Sequence, residues 1–354
     1  MEAHKIIITD PDYTVKWREH KLMTQAVALK LIAAGLQRRG ERMSVCSDVV
    51  RYKYCRDCGC WHVDGALLCR DRLCPTCNWR LSLRRYAIMQ RAVAPLLRDG
   101  MAWGLITLTV RNVWPDELGR TIDRLMDCWH RVCQRRDMRA TLGWARGMEL
   151  TYNRETGQVH PHLHILACWA PGQDRGPGLA NAWLEVVGRA GLVAVAEAQH
   201  AAVLRPEPSD DGRPDMTKAI LETYKYAIKG SDLLDMPART LRVVAQHWGG
   251  RRLMALGGVM RSAVADLDAD DPAIEPVQAC RSCGSAALDT YIARWSMGES
   301  AYKIIQLAQE AAKDQAEAVG PPDPDAPVRL HTVNGDMILY PSGVVVSGGA
   351  PLGL

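Results

Sequence analysis

Three histidines with alternating spacing are the side chains best suited to chemistry. His160, His162 and His164 lie in the apolar run from Val159 to Leu166, whose pattern predicts a strand. Because successive side chains of a strand point to opposite faces, the three imidazoles would share one face. Imidazole is the commonest metal-binding side chain, so this spacing favours a site for a divalent cation.

The segment before the histidine strand offers a candidate third ligand. Residues 146–152 predict a second strand, and the connector 153–157 contains Asn and Gly, which are typical of a hairpin turn. That register places Glu149 opposite or diagonal to His162, although a slip of one residue would turn it to the other face. A carboxylate beside two imidazoles suits Mg²⁺ or Mn²⁺, with positions left open for water or a phosphate oxygen.

A second group of reactive side chains lies in residues 216–234, a predicted helix. Glu222, Tyr226 and Lys229 would share one helix face, whereas Tyr224 would lie about 200° away from Tyr226. A tyrosine hydroxyl is a weak nucleophile at neutral pH because its pKa is about 10. A divalent cation bound to a phosphodiester would withdraw charge from the phosphate and so make attack by this hydroxyl easier. The combination predicts transesterification by Tyr226, with Lys229 offsetting charge and Glu222 activating water. Taken alone, this helix face is better explained by a half-buried packing role for Tyr226, with Glu222 and Lys229 as solvated charges.

Cysteine spacing predicts a structural zinc site. The pattern C-x2-C-x15-C-x2-C is typical of a four-thiolate Zn²⁺ site. The predicted ligands are Cys55, Cys58, Cys74 and Cys77. An alternative tetrad replaces the first two with Cys46 and Cys69. A further pair, Cys280 and Cys283, is either a half-site completed elsewhere or two ordinary thiols.

Composition bounds the class of protein. The chain of 354 residues has twelve cysteines and no secretory signal pattern at its start, which favours metal sites in a reducing compartment over disulfides. No run of 18 apolar residues predicts a membrane span.

The charge of the chain is divided unevenly. Residues 263–354 carry 13 acidic and five basic side chains, a net charge of −8, whereas the whole chain has a net charge of +4. Residues 1–262 therefore have a net charge of +12, which suits a phosphate backbone as partner. Phe is absent, so Leu, Met and Trp must fill the core.

The elements that must position these residues follow from hydrophobic periodicity and turn signals. Residues 46–77 are expected to be irregular, residues 205–214 to form a loop, and no internal repeat is detected. Helices are predicted at 14–40, 79–97, 116–140, 178–190 and 216–234, a strand at 103–110, and a terminal hairpin at 328–346.

Three separated motifs resemble one known family. Residues 106–112, residues 149–153 together with 160–166, and residues 222–232 resemble, in order, the three motifs of replication initiator proteins of bacterial rolling-circle plasmids. That family belongs to the HUH endonuclease superfamily. The resemblance covers roughly residues 17–262.

The resemblance implies an α+β fold, in which a central antiparallel sheet with flanking helices follows an N-terminal zinc-binding module. It divides the chain into residues 1–97, a nicking domain at 98–262 and an acidic region of unknown role at 263–354. His162 and His164 fall on the family's metal ligands, with Glu149 as the third ligand and His160 as an accessory neighbour. The metals would be Mn²⁺ or Mg²⁺ at this site and Zn²⁺ at the cysteines.

The implied activity is nicking of one strand of a plasmid origin. Tyr226 falls on the nucleophile that becomes linked to the 5′ phosphate and leaves a free 3′-OH, and Glu222 falls on the carboxylate that assists hydrolysis at termination. The implied partners are origin DNA, single-stranded or in a hairpin, and the host helicase and polymerase, in the bacterial cytoplasm.

Three other functions stay open at this stage. The pattern His-x-His-x-His at residues 160–164 formally fits a histidine-triad nucleotide hydrolase, which uses a histidine nucleophile and requires no metal. A zinc protein that binds DNA without catalysis would explain the cysteines and the basic charge. A transposase or a conjugative relaxase would share the chemistry of the initiator in a different biological setting.

Overall fold

The structure is a computed structural model that describes residues 11–205, 207–208, 214–216, 219–220, 223, 228–263, 274, 276–307, 328–332, 335–339 and 345–347. Contacts divide the chain into two compact units. The first unit is Met1–Leu22, Gln37–Cys69 and Ala273–Leu354, and the second unit is Met23–Leu36 and Arg70–Pro272. The domain boundaries proposed from the resemblance stay a prediction.

The described strands are β1 (Val49–Cys55), β2 (Trp61–Ala66), β3 (Ala102–Thr109), β4 (Gly143–Tyr152), β5 (Val159–Trp169), β6 (His200–Leu204), β7 (Glu207–Pro208), β8 (Pro214–Asp215), β9 (Met254–Gly258), β10 (Leu288–Ser296), β11 (Ala301–Leu307), β12 (Val328–Thr332), β13 (Gly335–Leu339) and β14 (Val345–Ser347). The described helices are α1 (Pro11–Ala33), α2 (Gln37–Ser44), α3 (Pro75–Arg98), α4 (Leu118–Gln134), α5 (Gly176–Arg189), α6 (Gly230–Asp235), α7 (Ala238–Trp248) and α8 (Val259–Ser262).

The second unit is built on a five-stranded sheet in the order β6-β3-β5-β4-β9, in which every neighbouring pair is antiparallel. Helices lie against it, including α5 against β3 and β6. The prediction of antiparallel sheet with helices is therefore confirmed. Tryptophan contributes large side chains to the core of this unit, and the fully buried examples are Trp103, Trp169, Trp183 and Trp248.

The hairpin of β4 and β5 forms as predicted. Asn153 begins its turn, and its side-chain oxygen accepts hydrogen bonds from the amides of Glu155 (2.9 Å) and Thr156 (3.0 Å). Gly157 then closes the turn with φ +72°, a left-handed conformation that glycine adopts without strain. This local chemistry sets the pairing of the two longest strands in the sheet.

Two N-terminal predictions were wrong. The helix expected at 14–40 is two helices, because Gly35 turns the chain with φ +80° after α1 and α2 then starts at Gln37. The segment expected to be irregular at 46–77 contains β1, β2 and the start of α3. β1 alternates Val, Arg, Tyr and Lys, a strand pattern that the dense cysteines obscured.

The first unit contains a four-stranded sheet in the order β11-β10-β1-β2. Strands β10 and β11 were not predicted, although β10 is rich in residues that favour strands. The predicted terminal hairpin is confirmed: β12 pairs with β13, and β14 adds a third strand. Strands β7 and β8 pair at the edges of the segment expected to be a loop. Among the residues that the structure describes, no helix has the length and hydrophobicity needed to cross a membrane.

The junction of β9 and α8 should be intolerant of any side chain. Gly258 has φ +57° and ψ −145°, and a Cβ there would lie 2.0 Å from the carbonyl oxygen of Leu142. We expect Gly258→Ala to lower the free energy of unfolding by about 2 kcal/mol or more, through backbone strain and overlap with rigid main chain. Gly188→Ala is the matched control, since its Cβ would meet nothing within 4 Å in α5 and should be neutral or stabilising. Urea denaturation that gave equal stabilities for both variants would contradict this assignment.

Candidate metal centre

Strand pairing brings Glu149 beside the histidines. Glu149 and His162 are Cα partners across β4 and β5, as the hairpin register predicted. One oxygen of Glu149 (Oε2) lies 3.2 Å from Nε2 of His164 and 3.5 Å from Nε2 of His162. The three side chains are buried, with exposed fractions of 6%, 8% and 7% for Glu149, His162 and His164.

Neighbouring groups orient both imidazoles through their other ring nitrogen. The hydroxyl of Thr107 lies 3.1 Å from Nδ1 of His164, and Nδ1 of His162 lies 3.2 Å from the carbonyl oxygen of His160. The carbonyl can only accept, so Nδ1 of His162 carries the proton and leaves its Nε2 lone pair free. A hydrogen bond to the second ring nitrogen usually fixes the orientation of a histidine that binds a metal through the first. The role of Thr107 was missed from the sequence, although a threonine inside an apolar strand was a usable signal.

His160 stands apart from the other two histidines. Its Nε2 forms a hydrogen bond with the hydroxyl of Thr109, and its ring centroid lies 5.1 Å from that of His162. Burial, together with the neighbouring His162, lowers the pKa of His160. His160 therefore lies outside the group of Glu149, His162 and His164 that could hold a metal ion, and its accessory role stays a prediction.

One face of the sheet carries both the candidate ligands and part of the core. By strand alternation, Leu166 and Cys168 of β5 lie on the same face as His162 and His164. Leu166 and Cys168 pack in a cluster with Ala219 and Ile220, which belong to the segment predicted to carry the tyrosine. An apolar cleft lined by α4 and by alternate residues of β4 lies on the opposite face, away from the metal centre.

The other predicted catalytic residues are only partly described. Glu222, Tyr224 and Tyr226 lie outside the described residues. Thr223 is buried and helical, and its hydroxyl donates to the carbonyl oxygen of Ala219 at 2.8 Å.

The expected continuous helix through Lys229 was wrong. Lys229 is exposed and extended, with ψ 142°, and α6 begins after it at Gly230. A Cβ on Gly230 would lie 2.7 Å from Cγ of Met23, so a close approach selects glycine at this point. Lys229 therefore does not continue a helix face from Tyr226. Helix α6 instead contacts β4, where Asp232 accepts a hydrogen bond from the amide of Tyr152 at 3.1 Å.

Four cysteines of the first unit form a group that differs from the first predicted tetrad. Their four Sγ atoms lie within 4.8 Å of one another, a spacing that could hold a metal ion. The group is Cys55, Cys58, Cys280 and Cys283. The predicted tetrad with Cys74 and Cys77, and its alternative with Cys46 and Cys69, would each take ligands from both units, and both stay predictions.

Comparison with known proteins shows the family. The sequence model of the replication protein family matches residues 61–303, which is more than half of the chain. The chain is 27% identical over 287 residues to the protein rep of Bacillus amyloliquefaciens, covering 73% of this chain and 83% of that protein. It is 27% identical over 252 residues to the protein rep of Streptococcus pneumoniae serotype 2, covering 69% and 77% respectively. No solved structure matches the chain significantly.

The chain belongs to the replication protein family, and its resemblance to the initiators of rolling-circle plasmid replication is confirmed. The match also extends to residue 303, beyond the limit of 262 that the motifs indicated. Family membership leaves no support for the histidine-triad hydrolase, and it separates the chain from transposases and relaxases by biological setting.

The hydroxyl of Thr107 should contribute to cation affinity. Thr107→Val keeps the shape of the side chain but removes the hydrogen bond to His164, so we expect Mn²⁺ to bind about tenfold or more weakly. Thr109→Val is the matched control, because its hydroxyl contacts His160 outside the ligand group and its loss should change affinity little. Isothermal titration with Mn²⁺ measures both variants. Equal losses would show that His160 belongs among the ligands.

Proposed function

We propose that this replication protein initiates rolling-circle replication by nicking one strand of its plasmid origin, with Tyr226 as the nucleophile. The observation that carries the proposal is the buried group of Glu149, His162 and His164, in which two Nε2 atoms and a carboxylate oxygen converge. A buried carboxylate between two imidazoles held in fixed orientations has little structural purpose without a cation.

The donor set fits Mn²⁺ or Mg²⁺. Two imidazole nitrogens and one carboxylate leave several positions of an octahedral ion open for water or a phosphate oxygen. When bound, the cation would withdraw charge from the scissile phosphate and orient it.

The proposed reaction is an exchange of phosphate esters. The hydroxyl oxygen of Tyr226 attacks the phosphorus, and the bond from phosphorus to the 3′ oxygen breaks. The tyrosine proton is lost to solvent and the leaving oxygen gains one, so the products are a 5′-phosphotyrosine and a free 3′-OH. At termination Glu222 takes a proton from water, which attacks the same phosphorus, and the bond from phosphorus to the Tyr226 oxygen breaks. That oxygen gains a proton, so the products are a 5′ phosphate and a free Tyr226 hydroxyl.

The surroundings of the metal centre support this assignment. Ala219 and Ile220, which precede Tyr226 in the sequence, pack on the face of the sheet that carries the ligands. After Tyr226, α6 contacts β4 three residues beyond Glu149, through Asp232 and Tyr152. Both described ends of the tyrosine segment are therefore tied to the sheet that holds the metal centre. Lys229, exposed immediately before α6, is a candidate contact to the DNA phosphates.

Origin DNA is the proposed partner, and the charge of the chain suits it. Residues 1–262 carry a net charge of +12, which would attract a phosphate backbone. Recruitment of host helicase and polymerase is part of the same proposal, but it is based on the resemblance alone.

Substitution of the nucleophile should abolish covalent attachment. Incubation of the full chain with labelled single strands tiling its plasmid and with Mn²⁺ should give a protein–DNA adduct on a denaturing gel. Tyr226→Phe should remove the adduct completely, since no hydroxyl is left to attack phosphorus. Tyr224→Phe is the matched control and should retain it. Retention by Tyr226→Phe with loss in Tyr224→Phe would overturn the choice of tyrosine, and no adduct from the wild type would overturn the proposed reaction.

Glu222→Gln should separate attachment from hydrolysis. The amide cannot take a proton from water, so the adduct should still form but persist at least about 100-fold longer than in the wild type. A chase with excess unlabelled strand and a gel time course measure its lifetime. Adduct decay at the wild-type rate would exclude Glu222 as the general base.

A further inference from the structure

Four cysteines of the first unit have the spacing of a metal site rather than of disulfides. Sγ of Cys55 lies 3.6 Å from Sγ of Cys283, and Sγ of Cys58 lies 3.5 Å from Sγ of Cys280. A disulfide bond would require about 2.05 Å. In a tetrahedral site with Zn–S bonds of about 2.3 Å, neighbouring sulfurs lie about 3.8 Å apart. The observed separations are close to that second value.

The two cysteine pairs lie in loops that repeat each other. Both have the sequence Cys-Arg-x-Cys-Gly, at residues 55–59 and 280–284. Gly59 has φ +72° and Gly284 has φ +77°, and the amide of each donates to the carbonyl of the first cysteine of its loop, at 2.9 Å and 2.8 Å. The chain therefore contains a short internal repeat that the sequence analysis did not detect.

The two loops are also closed by equivalent hydrogen bonds between backbone groups. The amide of Cys55 donates to the carbonyl of Cys60 at 2.9 Å, and the amide of Cys280 donates to the carbonyl of Ser285 at 2.7 Å. The loops also contact each other, because the amide of Arg56 donates to the carbonyl of Ala287 at 3.0 Å. The first loop links β1 to β2, the second precedes β10, and β1 pairs with β10. Two equivalent knuckles at the end of one sheet are the arrangement of a zinc ribbon.

A histidine supports the sulfur cluster from outside. Nε2 of His62 lies 3.2 Å from Sγ of Cys280. Four thiolates around a divalent ion carry two excess negative charges, and an N–H donor to one sulfur disperses part of that charge. Cys60 lies in the same loop as Cys58 but is not part of the group, so it serves as an internal control.

We propose that Cys55, Cys58, Cys280 and Cys283 bind one structural Zn²⁺ ion, which joins the C-terminal strands β10 and β11 to β1. Zinc is favoured over harder cations because all four ligands are thiolates, and their protons are released on binding. The site gives a structural role to residues 276–307, which lie outside the three motifs in the C-terminal region that had no assigned role. It is distinct from the cation site of Glu149, His162 and His164.

Metal analysis of the full chain tests the proposal. Zinc and iron are counted by mass spectrometry in the wild type, Cys283→Ser and Cys60→Ser after desalting. Cys283→Ser should hold one zinc ion fewer than the wild type, and Cys60→Ser should hold the same number as the wild type. Because the result is a difference, zinc held by other cysteines does not affect it. Equal zinc in the wild type and Cys283→Ser, equal losses in both variants, or iron in place of zinc would overturn the proposal.

A conservative variant covers the case in which Cys283→Ser fails to fold. Cys283→His supplies a nitrogen ligand in place of sulfur, so it should keep the metal. After replacement of the metal by Co²⁺, its visible absorption should shift from that of the wild type as one thiolate is lost. An unchanged Co²⁺ spectrum would overturn the assignment of Cys283 as a ligand. Mass spectrometry of the alkylated, unreduced wild type should find these four thiols free, and a disulfide between Cys55 and Cys283 would contradict the site.

Discussion

The pairing of Glu149 with His162 across β4 and β5 is the interaction that assembles the candidate metal centre of the second unit. Strand side chains alternate between faces, so a slip of one residue would carry Glu149 to the face occupied by Trp144 and Met148. The turn at Asn153 sets this register locally, and the neighbouring strands then hold it. A site built from two strands of one hairpin needs little else to bring its ligands together.

The face of the sheet that carries Glu149, His162 and His164 is polar at one end and apolar at the other. Along β5 the histidines are followed by Leu166 and Cys168. Along β4 and β3, Glu149 and Thr107 likewise share the face with residues of the apolar cluster. One half of the face therefore excludes water and anchors the segment that precedes Tyr226, while the other half offers polar donors. Polar groups beside a packed core are held rigidly, which is what a preorganised metal centre requires.

Local features of the fold could be predicted from the sequence, and distant ones could not. The hairpin, its register and the ligand group all follow from residues within one short stretch, whose turn chemistry and alternation are visible directly. The sulfurs beside those of Cys55 and Cys58 belong to Cys283 and Cys280, more than 200 residues away, and equal spacings within one segment could not reveal that proximity. The break at Gly230 was likewise invisible, because the close approach of Met23 is a tertiary contact. Motifs could propose Tyr226 and Glu222, which lie outside the described residues.

The proposed function requires a divalent cation that lies between Glu149, His162 and His164 and contacts the DNA to be cut. The most direct measurement is the anomalous scattering of Mn²⁺ in crystals of Tyr226→Phe bound to a single strand containing the nick site. The proposed function predicts one manganese peak at bonding distance from Nε2 of both histidines and a carboxylate oxygen of Glu149, with a phosphate oxygen on the same ion. A manganese peak elsewhere, or bound DNA with these three side chains unligated, would contradict it.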